Sequence, residues 1–121
     1  EIQLQQIELH QVSHEQLLEH VEEGEARLIT FNLGYLPGGD KEVVTAAAST
    51  INALKAATRA VMPGGVINIV AYLGQKGGAE EFAAVTEFVA DLPPNKWVVT
   101  THHVSNRPSS PVWIIVHKRV E

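Results

Sequence analysis

Leu28-Ile29-Thr30-Phe31-Asn32-Leu33-Gly34-Tyr35-Leu36-Pro37-Gly38-Gly39-Asp40 starts as an apolar run and ends as a glycine-rich loop. A short apolar strand that breaks into such a loop at its carboxyl end is where α/β folds place their chemistry. The chain beyond it continues the same alternation. Thr45 to Val61 is rich in Ala, with Ile51, Leu54 and Val61 on one face, and predicts a helix stopped by Met62-Pro63-Gly64-Gly65. Val66-Ile67-Asn68-Ile69-Val70-Ala71-Tyr72 is nearly all apolar, the pattern expected of a parallel strand covered on both faces. A second loop, Gly74-Gln75-Lys76-Gly77-Gly78, leads into a helix with Phe82, Val85, Phe88, Val89 and Leu92 inward and Glu80 and Glu81 in its first turn, where the helix dipole favours acids. Pro93-Pro94 ends it.

Upstream, Ile7 to Val12 alternates in part and predicts a strand; Ser13 then caps a short helix carrying Leu17, Leu18 and Val21 and ending near Gly24. Downstream, Lys96 to Val104 and Val112 to Lys118 are two β-branched, aromatic-bearing runs. Ser105-Asn106-Arg107-Pro108-Ser109-Ser110-Pro111 joins them, too short for a crossover helix, so the two strands are antiparallel. The expected order is β-α-β-α-β-α-β-β: a parallel α/β unit closed by one reversed strand. No repeat, low-complexity tract or linker divides residues 1–121, which read as a single domain.

The chain has 121 residues, 45% of them hydrophobic and 19% charged, enough to bury a core but short for a complete nucleotide-binding α/β enzyme. No stretch reaches the roughly 20 apolar residues that span a bilayer, and the first residues lack the basic and apolar regions of a signal peptide. A chain of this kind without cysteine suits the cytoplasm, and it excludes disulfides, thiolate metal sites and cysteine nucleophiles. The net charge of −5 argues against holding nucleic acid by bulk electrostatics. The charge is uneven, however: residues 1–40 hold eight acids and one Arg, whereas residues 41–121 hold eight Lys or Arg and six acids. Phosphate contacts are therefore expected from the later part.

Taken together, Phe31-Asn32-Leu33-Gly34-Tyr35-Leu36-Pro37-Gly38-Gly39-Asp40-Lys41, Pro63-Gly64-Gly65, Tyr72 with Gly74, Gly77-Gly78 and Glu81, and then Asn106 and Pro111 resemble the YtqB/MnmM-type methyltransferases, long labelled rRNA methylases. The resemblance covers nearly the whole chain. It implies a Rossmann-like class I methyltransferase sheet of order 3-2-1-4-5-7-6 with strand 7 reversed, S-adenosylmethionine as cofactor, and RNA as substrate. Within RNA it points to an aminomethyl group on the wobble uridine of tRNA ahead of rRNA, with no membrane partner and a homodimer left open. On this alignment residues 7–12 are strand 3 and Leu28 to Asn32 strand 4, so strands 1 and 2, with the glycine loop and the ribose-binding acid of such enzymes, have no counterpart in the sequence. Residues 1–121 are then a partial domain, strand 3 to strand 7. Two positions depart from the family pattern: Val12 stands where an acid commonly precedes the Ser-His pair, and Gln75 where a His is common.

Residue by residue, Asn32-Leu33-Gly34-Tyr35 resembles the Asn-Pro-Pro-Tyr motif of amino methyltransferases. The resemblance implies that the Asn32 side-chain oxygen and a following carbonyl accept the amine's hydrogens, that Gly34 allows close backbone approach, and that Tyr35 packs on the base. Ser13 and His14 fall in the loop beside the adenine, with Asn32 and Leu33 completing the cofactor contacts. The plainer reading of Asn32 and Gly34 is a turn after a buried strand. Asp40 and Lys41 are either a helix cap and a solvated base or groups that attract the aminomethyl cation and the RNA phosphate. Tyr72 is either a core-edge aromatic or a wall of the substrate pocket. Asn106, Arg107, Lys118 and Arg119 read as solvated surface, with RNA contact the alternative. Six histidines invite a metal hypothesis. Yet His10 and His14 do not share a helical face if residues 7–12 are strand, and adjacent His102 and His103 point to opposite sides of theirs, so no metal is expected.

Two functions compete: an S-adenosylmethionine-dependent RNA amino methyltransferase with Asn32 and Tyr35 at the chemistry, and a non-catalytic RNA-binding module without the cofactor-binding half. A dinucleotide-binding dehydrogenase lacks its glycine fingerprint.

Overall fold

The structure, a computed structural model, describes residues 6–33, 43–74 and 77–120. Its elements are β1 (Ala26–Leu33), α1 (Val43–Ala60), β2 (Val61–Ala71), α2 (Gly78–Ala90), β3 (Trp97–His102) and β4 (Val112–Lys118), preceded by a 3-10 helix at His14–Glu19. One four-stranded sheet results, in the order β1-β2-β4-β3. β1 and β2 are parallel, with Leu28 opposite Val66 and Leu33 opposite Ala71. The reversed strand β4 is inserted between β2 and β3 and pairs antiparallel with both.

Strand pairing sets which side chains share a face, because residues directly opposite one another project the same way. Phe31, Leu33, Ile67, Ile69, Ile114 and Val116 fall on one face and are buried with Ala53, Leu54 and Ala57 of α1 and Val85 and Val89 of α2. Both helices therefore cover the same face. A parallel crossover is right-handed, and each crossover here, β1 to β2 and β2 to β3, advances across the sheet in the same direction. Double coverage of β2 was the sequence expectation. Instead Val66, Asn68 and Val70 stay partly accessible, and no helix among the described residues packs on their side.

Residues 7–12 also depart from expectation: they form no strand. A strand exists only by pairing, and among the described residues the sheet ends at β1. Ile7, Leu9 and Val12 are exposed, Leu9 at 91%. What orders this stretch is local: the His10 and His20 rings stack with centroids 3.9 Å apart. Ser13 performs the expected cap, its Oγ accepting from the Glu15 amide at 3.1 Å. The short helix is laid along α1: Asn52 donates to Glu15 at 2.9 Å, Arg59 pairs with Glu23, and the Gly24 amide donates to the Arg59 carbonyl at 2.9 Å.

β2 begins earlier than the Pro-Gly-Gly run suggested. Val61 pairs with Ala26 and Val66 with Leu28, so Met62-Pro63-Gly64-Gly65 is bulged out inside the strand rather than forming a separate loop. Only glycine fits at position 65, where a Cβ would lie 2.7 Å from Val61 Cγ2 and 2.9 Å from two carbonyl oxygens, those of Arg27 and Met62. At the same end of the sheet, Lys118 Nζ donates to the Val61 and Thr58 carbonyls at 3.2 and 3.4 Å and lies 5.5 Å from the Trp97 ring centroid. Lys118 thus closes the carboxyl end of α1, which corrects its reading as solvated surface.

Candidate cofactor and acceptor site

Because β1 and β2 are parallel and end in register, Leu33 and Ala71 lie side by side at the carboxyl end of the two strands. Asn32 is the penultimate residue of β1. Its neighbours Phe31 and Leu33 turn into the core, so alternation sends the Asn32 side chain to the uncovered face, where it is exposed. Along the outer edge of β1 lies a cleft of about 450 Å³, within the range of small-molecule sites. Ser13, His14 and His20 form one wall, and Ile29, Phe31 and Asn32 the other. The His14 ring meets Phe31 edge to face, centroids 5.9 Å apart with an interplanar angle of 67°, and this contact fixes the distance between the walls.

Three of the four residues assigned to the cofactor, Ser13, His14 and Asn32, thus share one cleft. Leu33 does not line it: at 3% exposure its side chain belongs to the core, leaving its backbone as the part that can face a ligand. Tyr72 follows the last residue of β2 and is half-buried. Gly34, Tyr35, Asp40 and Lys41 lie outside the described residues, as does Gln75. Phe31, His10 and His20 also line the cleft and escaped the sequence reading. The hydrophobic pattern marked Phe31 only as strand, and a contact between histidines ten residues apart in irregular backbone leaves no periodic signal. The His10 and His20 rings lie over one another, His10 also approaching Glu8 at 3.2 Å. The His102 ring lies within hydrogen-bond distance of Thr100 Oγ1, at 3.1 Å.

A parallel α/β unit with one reversed strand inserted next to last, and a cleft at the outer edge of its first strand, is the 4-5-7-6 portion of a class I methyltransferase sheet. The chain belongs to the family described as "Putative rRNA methylase", which matches residues 1–118. It is 41% identical over 114 residues to an Arabidopsis thaliana protein named tRNA (mnm(5)s(2)U34)-methyltransferase, chloroplastic, a match that covers 93% of this chain and 42% of that one. Among solved structures it resembles a Clostridium thermocellum protein named "putative rRNA-methylase", with a TM-score of 0.76 and 31% identity over 87% of this chain and 56% of the other. It also resembles a Streptococcus mutans protein named "a putative methyltransferase", in complex with SAH, with a TM-score of 0.74 and 31% identity over 87% and 57%. The chain therefore spans about half the length of the relatives it matches.

Proposed function

We propose that this chain carries the acceptor side of an S-adenosylmethionine-dependent methyltransferase acting on an amine in RNA. The observation that supports it most directly is the position of Asn32: at the carboxyl end of β1, exposed, in one cleft with Ser13 and His14, and beside the strand end that carries Tyr72. The cleft suits a nucleoside ligand, with an apolar wall at Phe31 and Ile29 and polar groups at Ser13 and Asn32. S-adenosylmethionine, when bound, supplies a methyl group on a sulfonium. The protein's own task is positioning, because an in-line displacement needs a neutral amine lone pair held about 3 Å from the methyl carbon. The Asn32 carboxamide oxygen accepts an N–H of the amine and aims its lone pair. His14 and Phe31 hold the flat face of the nucleoside. Tyr35 and Tyr72 pack on the RNA base, Gly34 lets the backbone come close, and Asp40 and Lys41 attract the cationic substituent and the phosphate.

The name of the Arabidopsis relative specifies the wobble uridine of tRNA, and we take that as the substrate in preference to rRNA. The basic later part of the chain supplies the phosphate contacts. Residues 1–121 act as one partial domain, in a reducing compartment such as the cytoplasm, and a homodimer is an assembly the bare sheet face can support. Among the described residues no helix is long and apolar enough to cross a membrane.

Calorimetric titration of the 121-residue chain with S-adenosylmethionine tests the reading, with saturable heat expected. An absence of heat at millimolar ligand would sink the claim that these residues hold cofactor unaided and would favour an RNA-binding module. The open cleft, backed by a single strand edge and irregular chain, is the feature that makes this second reading worth testing.

A further inference from the structure

Among the described residues Thr50 is the polar side chain that is buried, at 7% exposure. It sits about two turns into α1. Its Oγ1 donates to Oε2 of Glu81 at 2.6 Å, across 31 residues of sequence. Glu81 is half-buried in the first turn of α2. That turn rests on the chain leaving β2. Gly78 is buried, and a Cβ there would lie 2.3 Å from the Tyr72 carbonyl oxygen and 3.4 Å from Leu73 Cα, so the start of α2 is seated on the backbone of Tyr72-Leu73. Gly77 before it has a φ of +82°.

One directional bond therefore joins α1, the helix that follows β1 in the chain, to the start of α2 where it rests on Tyr72-Leu73. Packing through Leu54, Val85 and Val89 holds these helices together but tolerates sliding and rotation. A short hydrogen bond to a carboxylate does not, since it is strong and depends on angle. We propose that Glu81, acting through Thr50, is a positioning residue for the methyl acceptor: it holds the seat of α2 under Tyr72, and so Tyr72 relative to Asn32. The inference rests on the reading above that Asn32 and Tyr72 bracket the amine.

The test uses the full chain with Thr50→Val, which removes the donor at nearly constant volume, Thr50→Ser, which restores it, and Glu81→Ala, which removes the acceptor from a half-exposed site if the first variant does not fold. Methyl transfer is assayed on a synthetic anticodon stem-loop bearing an aminomethyluridine, cofactor affinity by calorimetry, and amide hydrogen exchange at Tyr72–Gly74 and Gly77–Phe82 by mass spectrometry. Thr50→Val and Glu81→Ala are expected to lower kcat/KM for the RNA on the order of tenfold, since small misplacements are costly in a reaction that depends on positioning. They should accelerate exchange at both segments and leave cofactor affinity within about twofold, and Thr50→Ser should recover most of the loss. A lower melting temperature with unchanged kcat/KM and unchanged exchange at Tyr72–Gly74 would overturn the proposal, as would failure of serine to rescue. If the wild-type chain transfers no methyl group, the functional reading fails first. The exchange comparison then decides the clamp, faster exchange supporting it and unchanged exchange overturning it.

Discussion

Asn32 and Lys118 show how differently two polar residues at strand ends are used. Asn32 makes no contact that the core needs, being exposed on the side of β1 opposite Phe31 and Leu33. Asn32→Ala should therefore leave the melting temperature almost unchanged while abolishing methyl transfer, with cofactor affinity held within about tenfold, as expected where positioning of the acceptor carries the rate. Equal loss of transfer and of binding heat would instead place Asn32 on the cofactor. Lys118 is the converse case. Its ammonium answers two carbonyls where α1 gives way to β2, that of Thr58 in the last turn of the helix and that of Val61 at the start of the strand. Lys118→Met keeps the stem over Trp97 but leaves those carbonyls unanswered, at a cost of about 1 to 2 kcal/mol. That is roughly a 4 to 10 °C fall in Tm by differential scanning calorimetry; an unchanged Tm would show that water replaces the ammonium without loss.

At the level of elements, the two helices and the four strands of the sheet were legible because each has its own period and punctuation: alanine-rich with Ile51 and Leu54 on one face, β-branched from Val66 to Val70 except at Asn68, and Pro93-Pro94 as a stop. The Ser13 cap was legible for the same local reason. Illegible were features set by what lies alongside. Residues 7–12 alternate like a strand, yet find no ladder to join among the described residues. Met62-Pro63-Gly64-Gly65 reads as a helix stop and loop, yet the neighbouring strand draws it into β2 as a bulge. The bulge depends on Gly65. Gly65→Ala would drive a methyl group into Val61 and two carbonyl oxygens, and since backbone cannot yield as a side-chain tip can, we expect destabilisation of about 2 kcal/mol or more. Urea denaturation measures it, and a change in unfolding free energy below about 0.5 kcal/mol would mean that the bulge relaxes freely.

At the scale of the whole molecule, one topological fact governs both surface and site. The crossovers advance from β1 in a single direction, so handedness puts α1 and α2 on one face and, among the described residues, leaves the other without a helix. In doubly wound sheets ligands bind where the strand order reverses, beyond the carboxyl ends of the strands. The cleft at the outer edge of β1 is where a reversal would fall, which is the place such a sheet would offer the site proposed above. The bare face is apolar along a line set by register: Leu28 at 62% exposure beside Val66, and Val70 beside Trp113 at 51%, with Val98 at 47% on β3. A surface of this kind is a site of association. In the 121-residue chain we expect self-association that grows with concentration in sedimentation velocity, together with shielding of Trp113 from acrylamide as it does. Leu28→Glu with Trp113→Glu should suppress that association while changing the melting free energy by no more than about 0.5 kcal/mol per site, because neither side chain contributes to the buried cluster. A double variant that unfolds would place these residues in the core after all, and one that still associates would move the interface to the unpaired edge of β1, where backbone hydrogen bonding rather than apolar burial would drive it.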